Sequence, residues 1–288
     1  MNATCLICHF RKNVETAASL GDEATATAFA KDLMRLYLQA PDHVASPYFG
    51  PGVTELFQKY YGLGEDRYIQ EKLDSNRFVM ERLDAIAERV QAQEDPVYAG
   101  LQFSILGNYL DFSALQGQVS FEKLDEMLDL GLNMALDRDC YAQLCRQLQQ
   151  GKRLLYLTDN AGEIGFDRIC AEQIHKKYPH LEITFCVRGG PVLNDATRED
   201  AETVGIPFPV IDNGNCIGGT ELSLLGAEAK AAFEAADVIL AKGMGNNETL
   251  YGCGYNVYYA FLVKCELFVQ RFGQPLMTPM LVAERKNA

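Results

Sequence analysis

Residues 153–169 read RLLYLTDNAGEIGFDRI, and this stretch decides the fold. The apolar run from Arg153 to Thr158 has the length and composition of a buried strand. Two polar residues, Asp159 and Asn160, follow it directly, and a helical pattern then extends from Gly162 to Tyr178. A strand that passes through a short turn into a helix is the repeating unit of a parallel sheet. The stretch therefore predicts an α/β domain.

The same alternation continues downstream. Short apolar runs predict further strands, and stretches with helical period lie between them. The predicted strands are Leu181 to Val187, Phe208 to Ile211, Asp237 to Ala241 and Leu276 to Ala283, and the predicted helices are Asp195 to Val204, Leu222 to Ala235 and Tyr255 to Phe272. This order indicates a largely parallel sheet with helices on both faces, which is a Rossmann-like α/β/α architecture.

The sequence before Gly151 differs, because strand-like runs are scarce there and helical period dominates. Val79, Leu83, Ile86 and Val90 recur every three or four residues and form one apolar face of a predicted helix. The predicted helices are Asp22 to Gln39, Asn76 to Gln91, Pro96 to Tyr109, Phe121 to Leu136 and Tyr141 to Gln150.

Two domains follow from this change in pattern. We predict a helical region over residues 1–150, packed on an α/β domain over residues 151–288 that carries the functional site. Within the first region, prolines and glycines cluster between Ala40 and Val53, which predicts a loop.

Composition and charge narrow the function classes. Hydrophobic residues make up 48% of the 288 residues and charged residues 23%, as in ordinary globular proteins. The net charge of −13 argues against nucleic acid or an anionic membrane as the main partner, since both require clustered Lys and Arg. No apolar run reaches the roughly 18–20 residues of a transmembrane helix, and the N-terminal residues lack a signal-peptide pattern. We therefore expect a cytoplasmic protein whose nine cysteines are reduced.

Polar residues gather where the predicted strands end. The strings that follow four of them are DNAGE (159–163), RGGPVLND (188–195), DNG (212–214) and KGMGNNE (242–248). In open α/β sheets, ligands bind beyond the carboxyl ends of the strands. We therefore expect these residues to share one site.

Divalent metal and phosphate chemistry suits this set of residues. Carboxylate and amide oxygens are preferred ligands of Mg²⁺ and Mn²⁺, and Asp159, Asn160 and Asp195 would form an open site for such an ion. A bound metal can polarise phosphoryl oxygens and can generate a hydroxide nucleophile. Gly162 lies where a helix should begin, so backbone N–H groups there could hold a phosphate.

Other charged residues have expected roles in the same site. Lys242 and Arg188 could neutralise charge on the transferring phosphoryl group, and Glu248 could orient a water molecule or bind the metal through one. Each feature also has a plainer explanation. Asp159 and Asn160 are common helix-capping residues, and the glycines could only form turns. The coincidence of four polar strand ends favours the functional reading.

Three strings resemble the damage-control phosphatase family, formerly called domain of unknown function 89. They are LTDNAGEIGFDRI (157–169), RGGPVLNDAT (188–197) and KGMGNNETL (242–250). GNYLDF (107–112) and VKCELFVQRFG (263–273) resemble further family elements. The resemblance implies a helical region packed on an α/β/α fold and a divalent-metal phosphatase. It implies that Asp159, Asn160 and Asp195 bind the metal and that Lys242 faces the phosphate.

The resemblance also implies contacts beyond the metal. Asn108 and Asp111 are expected to approach the site from the helical region, and Asn246 of the third string is expected among the substrate-binding residues. Met244 and Asn247 replace a Gln and an aromatic residue that are usual in this string, a departure that concerns the substrate pocket more than the chemistry.

Cys5 and Cys8 form a C-x-x-C pair that resembles the prokaryotic branch of the family. Three interpretations stay open. The pair could hold a second, structural metal together with His9 or a distant cysteine, it could be redox-active, or it could be two thiols at the start of a helix.

The sequence thus predicts a phosphatase that uses Mg²⁺, Mn²⁺, Co²⁺ or Ni²⁺ to hydrolyse small phosphorylated metabolites such as sugar phosphates, nucleotides or damaged cofactors. The nucleophile is either a metal-bound water or Asp159 itself. The alternatives are a methyltransferase that uses S-adenosylmethionine and a non-catalytic metabolite-binding protein. The sequence does not predict the oligomeric state.

Overall fold

The structure, a computed structural model, describes residues 1–111 and 120–284. The helices are α1 (Ala3–Leu20), α2 (Glu23–Gln39), α3 (Gly50–Tyr61), α4 (Ile69–Met80), α5 (Leu83–Gln91), α6 (Pro96–Gly107), α7 (Phe121–Leu130), α8 (Arg138–Gln150), α9 (Glu163–Lys177), α10 (Arg198–Thr203), α11 (Ala227–Ala235), α12 (Gly243–Leu250) and α13 (Glu266–Phe272). The strands are β1 (Arg153–Leu157), β2 (Glu182–Val187), β3 (Val210–Asp212), β4 (Val238–Lys242), β5 (Val257–Leu262) and β6 (Pro279–Ala283).

The six strands form one sheet in the order β3-β2-β1-β4-β5-β6. The first five strands are parallel, and β6 runs antiparallel to β5 at one edge. The predicted fold class is confirmed. The strand order reverses between β1 and β4, and such a switch point opens a crevice beyond the carboxyl ends of the two strands.

Helix α6 joins the helical region to the sheet. It is apolar on all sides and buried from Val97 to Gly107, because it lies under α9 and against the sheet. Gly100 permits the close approach to α9, since a Cβ atom there would lie 3.0 Å from Cα of Cys170. Leu101, Phe103 and other α6 side chains belong to the same hydrophobic core as the sheet.

Helices α1, α2 and α3 have a separate small core. Its members are Ala17, Phe29, Leu33, Phe49, Val53 and Phe57. Phe29 and Phe57 pack with their ring centroids 4.8 Å apart. This three-helix unit lies over the carboxyl ends of the strands and covers the crevice at the switch point. A helix at the position of α1 was not among those predicted.

The sequence prediction fails at β5. The segment Tyr255 to Phe272 was predicted as one helix, but it contains β5 followed by α13. All six residues of β5, VYYAFL, are buried. A strand that is covered on both faces has no alternation of polar and apolar residues, so periodicity cannot distinguish it from a buried helix.

Two smaller predictions and one plainer explanation also need correction. The predicted loop from Ala40 to Val53 contains a 3-10 turn at Ser46–Phe49 and the start of α3, where Pro51 occupies a first-turn position that needs no N–H donor. The predicted helix from Asn76 to Gln91 is broken between α4 and α5. The plainer explanation that the glycines after Lys242 only form turns is also wrong, because Gly243 and Gly245 belong to α12.

The division of the chain into domains at residue 151 stays a prediction.

Among residues 1–111 and 120–284, none of the helices combines the length and the apolar character that membrane crossing requires.

Candidate metal and phosphate site

A cavity of about 740 Å³ lies beyond the carboxyl ends of β1 and β4. The ends of the strands form its floor, and α1 together with the segment from Ser46 to Phe57 forms its roof. The predicted site residues that line it are Asp111, Asp159, Asn160, Asp195, Glu248, Cys5 and Cys8. The three expected metal ligands therefore face one space.

Backbone pairing brings Asp159, Asn160 and Asp195 together. The segment after β2 turns back and pairs with the residues after β1 through an isolated bridge between Asn160 and Asp195. The Ala196 N–H donates to the Asp159 carbonyl at 2.7 Å, and the Ala161 N–H donates to the Asn194 carbonyl at 2.9 Å. These bonds hold the three side chains at adjacent positions along the floor of the cavity.

In both Asp159 and Asp195, one carboxylate oxygen accepts closer hydrogen bonds than the other. Oδ2 of Asp159 accepts from the amide groups of Asn108 at 2.9 Å and Asn160 at 2.8 Å. Oδ2 of Asp195 accepts from Nε of Arg188 at 2.6 Å. The other oxygen of Asp159 has a longer contact of 3.5 Å with Arg188. The Oδ1 atoms are therefore the oxygens that the two carboxylates can offer to a ligand in the cavity.

Burial and mutual repulsion act on these carboxylates. Burial, together with the charges of Glu163 and Asp195, raises the pKa of Asp159 well above its usual value. Burial raises the pKa of Asp195 to about 6, although the Arg188 guanidinium opposes the change. Burial also raises the pKa of Glu248 to about 7. A bound cation would relieve this concentration of negative charge.

The donor set fits a hard divalent ion. Two carboxylates and one amide leave coordination positions for water or substrate, as is usual for Mg²⁺. Over residues 1–111 and 120–284, no three His, Cys, Asp or Glu side chains are arranged to hold a metal. The fit therefore depends on the amide oxygen of Asn160 as a third ligand.

Lys242 was expected to face the phosphate, but its side chain lies beneath the cavity. Its side chain is completely buried, and Nζ donates to Glu163 at 2.6 Å, to Asp167 at 2.9 Å and to the Ser104 carbonyl at 2.8 Å. An ammonium group has three protons, so these three bonds use all of them. The predicted contact of Lys242 with phosphate is therefore not what the structure shows, because the group lies beneath the floor of the cavity.

Arg188 and Asn246 are also buried in the floor of the cavity and do not line it. Arg188 is 2% exposed and bridges Asp195, Asp159 and Asn246. The amide of Asn246 donates to the carbonyls of Thr158 at 3.1 Å and Lys242 at 2.7 Å. In this arrangement both side chains fix the ends of β1 and β4.

Gly162 precedes α9, as expected, but its N–H is already used. It donates at 2.7 Å to Oδ1 of the buried Asn76. The glycine has a φ of +76°, and a Cβ atom on it would come within 2.9 Å of the Ser75 carbonyl oxygen. Its conformation therefore serves the packing of α4 on α9, and this N–H does not point to a phosphate.

The helical region contributes two residues after α6, Asn108 and Asp111. Asn108 is buried, and its amide donates to both Asp159 and Glu163. Asp111 lines the cavity and accepts from Nζ of Lys264 at 2.8 Å. The string GNYLDF that contains these residues ends at Phe112, which lies outside the described residues.

Lys264 was missed by the sequence reasoning. It follows β5, so it lies at a fifth strand end, and it lines the cavity beside Asp111. The signal that could have found it is the same one that found the others, namely a charged residue directly after a buried strand. The incorrect helix prediction for Tyr255 to Phe272 concealed this position.

The C-x-x-C pair lies in the roof of the same cavity. Cys5 and Cys8 are on α1, and Cys265, the residue before α13, lines the cavity close to them. Burial raises the pKa of Cys5 to about 11, an effect to which Glu248 adds, so this thiol stays protonated at neutral pH. The roles of the pair in a second metal site or in redox chemistry stay predictions.

The chain is similar to known proteins over most of its length. Residues 1–278 match the family model described as the damage-control phosphatase ARMT1-like domain. A damage-control phosphatase from Pyrococcus horikoshii is 32% identical over 228 residues, which are 78% of this chain and 77% of the relative. A damage-control phosphatase from Archaeoglobus fulgidus is 31% identical over 244 residues, or 83% of each chain.

Two further comparisons extend over almost the full length. An uncharacterized protein from Methanocaldococcus jannaschii is 33% identical over 280 residues, which are 93% of this chain and 90% of the relative. The crystal structure of a DUF89 family protein from Pyrococcus horikoshii superposes with a TM-score of 0.81. That superposition covers 99% of both chains at 25% sequence identity.

Proposed function

The chain belongs to the damage-control phosphatase ARMT1-like domain family, and on this premise we propose that it hydrolyses small phosphorylated metabolites with a divalent metal bound by Asp159, Asn160 and Asp195. The observation that carries the proposal is the convergence of these three side chains on one cavity beyond β1 and β4. The metal would supply Lewis-acid activation of the phosphoryl group and of water.

The protein itself would supply charge stabilisation through Lys264. Lys242 and Arg188 are held in ion pairs beneath the floor of the cavity. Lys264 is also in a buried ion pair, with Asp111, but both of these residues belong to the cavity lining. Its ion pair with Asp111 fixes Nζ near the floor. A phosphoryl oxygen that approaches Asp159 would come within reach of this ammonium group, which would stabilise negative charge in the transition state.

Glu248 is suited to hold a proton during the reaction. It lines the cavity, and its pKa of about 7 lies near physiological pH. A carboxylate with such a pKa accepts a proton from an attacking water or returns one to a leaving oxygen. We assign this general acid–base role to Glu248. Asp159 would remain either a metal ligand or the nucleophile.

The dimensions of the cavity suit a small metabolite. Pockets for such ligands commonly measure about 300–1,000 Å³. This cavity has a volume within that range, and its roof presents the polar side chains Lys12, Asn13 and Thr16 of α1. A phosphate at the floor would leave the rest of the substrate against this polar face. The metal in use, among Mg²⁺, Mn²⁺, Co²⁺ and Ni²⁺, and the cytoplasmic location stay predictions.

Phosphate release from a panel of sugar phosphates, nucleotides and phospho-cofactors tests the proposal. Wild-type protein would be compared with Asp159→Asn in chelator-treated buffer, with and without each of the four metals. The surface variant Glu234→Gln serves as a control for preparation. We expect metal-dependent release by wild type and the control, and its loss in Asp159→Asn. Equal release by a folded, contaminant-free Asp159→Asn protein would refute the site.

A further inference from the structure

We propose that Glu163 is a positioning residue that fixes the carboxamide of Asn160 with its oxygen toward the metal. The inference rests on the metal site proposed above, and it concerns a residue that does not line the cavity. Glu163 is the first residue of α9 and is completely buried beneath Asp159 and Asn160.

The Glu163 carboxylate accepts hydrogen bonds from the amide NH₂ groups of two asparagines. Nδ2 of Asn160 donates to Oε2 of Glu163 at 2.7 Å. Nδ2 of Asn108 donates to the same carboxylate at 3.0 Å and 3.2 Å. A carboxylate offers only acceptors, so each amide must turn its NH₂ end toward Glu163.

The orientation of Asn160 decides whether it can bind a cation. Its amide oxygen points away from Glu163, where it accepts from Nδ2 of Asn194 at 3.1 Å and has a second lone pair. A half-turn of the amide would direct the NH₂ group to the cavity and place the oxygen against the carboxylate. With the NH₂ group toward the cavity, Asn160 could no longer bind a metal. With its oxygen against Glu163, two hydrogen-bond acceptors would be in contact.

Lys242 acts through Glu163. Its Nζ donates at 2.6 Å to Oε1, the oxygen that Asn160 does not use. Lys242 thereby balances the buried charge and holds the carboxylate that both amides contact. Lys242 also donates to Asp167, which accepts from Ser104 and Tyr156 as well. The amides of Asn108 and Asn160 donate to Asp159 and Glu163 and not to Asp167. Asp167 is therefore a natural control.

Direct titration with Mn²⁺, followed by calorimetry and by the electron paramagnetic resonance of free Mn²⁺, tests the inference on the full-length protein. In Glu163→Gln, an NH₂ group competes with that of Asn160. Outer-sphere partners of metal ligands typically contribute about 10–100-fold in affinity, and we expect a loss of this size. Asp167→Asn should alter thermal stability but should not show the loss of about 10–100-fold in Mn²⁺ affinity that is expected of Glu163→Gln.

A complementary pair of substitutions separates orientation from general damage. In Asn160→Asp, a carboxylate oxygen faces Glu163, and Mn²⁺ binding should again weaken. In the double variant Glu163→Gln/Asn160→Asp, the new amide donates to the new carboxylate, whereas the bond from residue 160 to Asp159 stays lost. The Mn²⁺ affinity should therefore recover in part and exceed that of either single variant. A residue that only supports the fold would not produce this recovery.

The outcomes distinguish the two proposals. If wild type binds Mn²⁺ and folded Glu163→Gln binds it equally well, the positioning role is wrong while the proposed function stands. If both single variants bind weakly and the double variant does not recover, the orientation argument is also wrong. If wild type itself does not bind Mn²⁺ or any of the other three metals, the proposed function fails and this inference fails with it.

Discussion

Gly243 lies directly against the carboxylate of Asp159, so that a Cβ atom on the glycine would stand 2.7 Å from Oδ1 and closer still to Oδ2. The glycine follows the last residue of β4 and has a φ of +78°. It allows α12 to begin beside the end of β1 without displacing Asp159. The contact explains why a glycine follows Lys242, and it gives a sharp test of the site.

We expect Gly243→Ala to abolish phosphatase activity while costing only moderate stability. The positive φ should cost about 1–2 kcal/mol in the free energy of unfolding. The overlap with Asp159 must additionally push the carboxylate or the start of α12 out of place, and a displacement of about 1 Å can cost about 100-fold in rate. Activity and urea unfolding of the purified variant would measure the two effects.

Gly252→Ala is the matched control for this variant. Gly252 has a φ of +83°, and the space around its Cβ position is open to 4 Å. It should show the same backbone cost as Gly243→Ala without the steric overlap, and it should keep its activity. Similar losses of activity in both variants would mean that the positive φ, and not the contact with Asp159, is responsible.

Lys264→Ala should weaken the interaction with phosphate. The substitution removes the ammonium group that pairs with Asp111 at the cavity. Loss of one group that stabilises transition-state charge costs about 100-fold or more in rate. We therefore expect a fall of about 100-fold in kcat/KM and a weaker inhibition by inorganic phosphate.

Lys177→Ala provides the comparison for Lys264→Ala. Lys177 is paired with Asp95 at 3.3 Å and lies at the opposite end of α9 from the cavity. Its loss should leave kcat/KM and phosphate inhibition unchanged. Unaltered phosphate inhibition in Lys264→Ala would exclude the assigned role.

The convergence of Asp159 and Asp195 could be predicted from the sequence. Each follows a recognisable apolar strand, and the carboxyl ends of parallel strands lie along one edge of the sheet. The direction of Lys242 could not be predicted in this way. Side chains alternate between the two faces of a strand, but every residue of β4 is buried, so the string VILAK does not reveal which face its lysine occupies.

The positions of Lys242, Lys264 and α1 depend on tertiary packing, which local sequence patterns do not reveal. Leu240 belongs to the core beneath α6, and Lys242, two residues further on, points to the same side and meets Glu163 and Asp167. Lys264 was hidden because β5 is covered on both faces. The roof formed by α1 depends on a small core shared with α2 and α3, which no local pattern in the first 20 residues specifies.

Acid should weaken the attachment of α1 through His9. Burial lowers the pKa of His9 to about 4, and Nδ1 lies 2.6 Å from the hydroxyl of Tyr37 on α2. A histidine with a depressed pKa stabilises the fold above its unfolded pKa of about 6.5. That contribution should diminish as the pH falls from about 6.5 to about 4 and then stay constant.

The measurement compares wild type with His9→Asn, which cannot titrate. Hydrogen exchange of α1 should accelerate with falling pH more strongly in wild type than in the variant, after correction for intrinsic exchange. Asp195 and Glu248, whose pKa values are raised, stabilise the fold as the pH falls, so only the difference between the two proteins reports on His9. Identical pH profiles would contradict the prediction.

Without metal, Asp159→Asn should be more stable than wild type, whereas Asp195→Asn should be less stable. Asp159 is buried beside Glu163 and accepts mainly from neutral amides, so removal of its charge should add about 1 kcal/mol. Asp195 is the partner of the buried Arg188 at 2.6 Å, and breaking such a pair costs about 3–5 kcal/mol. Thermal unfolding at pH 8 would measure both changes.

At a Mn²⁺ concentration of about 100 Kd, wild type should gain about 2.7 kcal/mol, and neither variant should gain a comparable amount. A Mn²⁺-induced rise in the Tm of Asp159→Asn equal to that of wild type would remove Asp159 from the set of metal ligands.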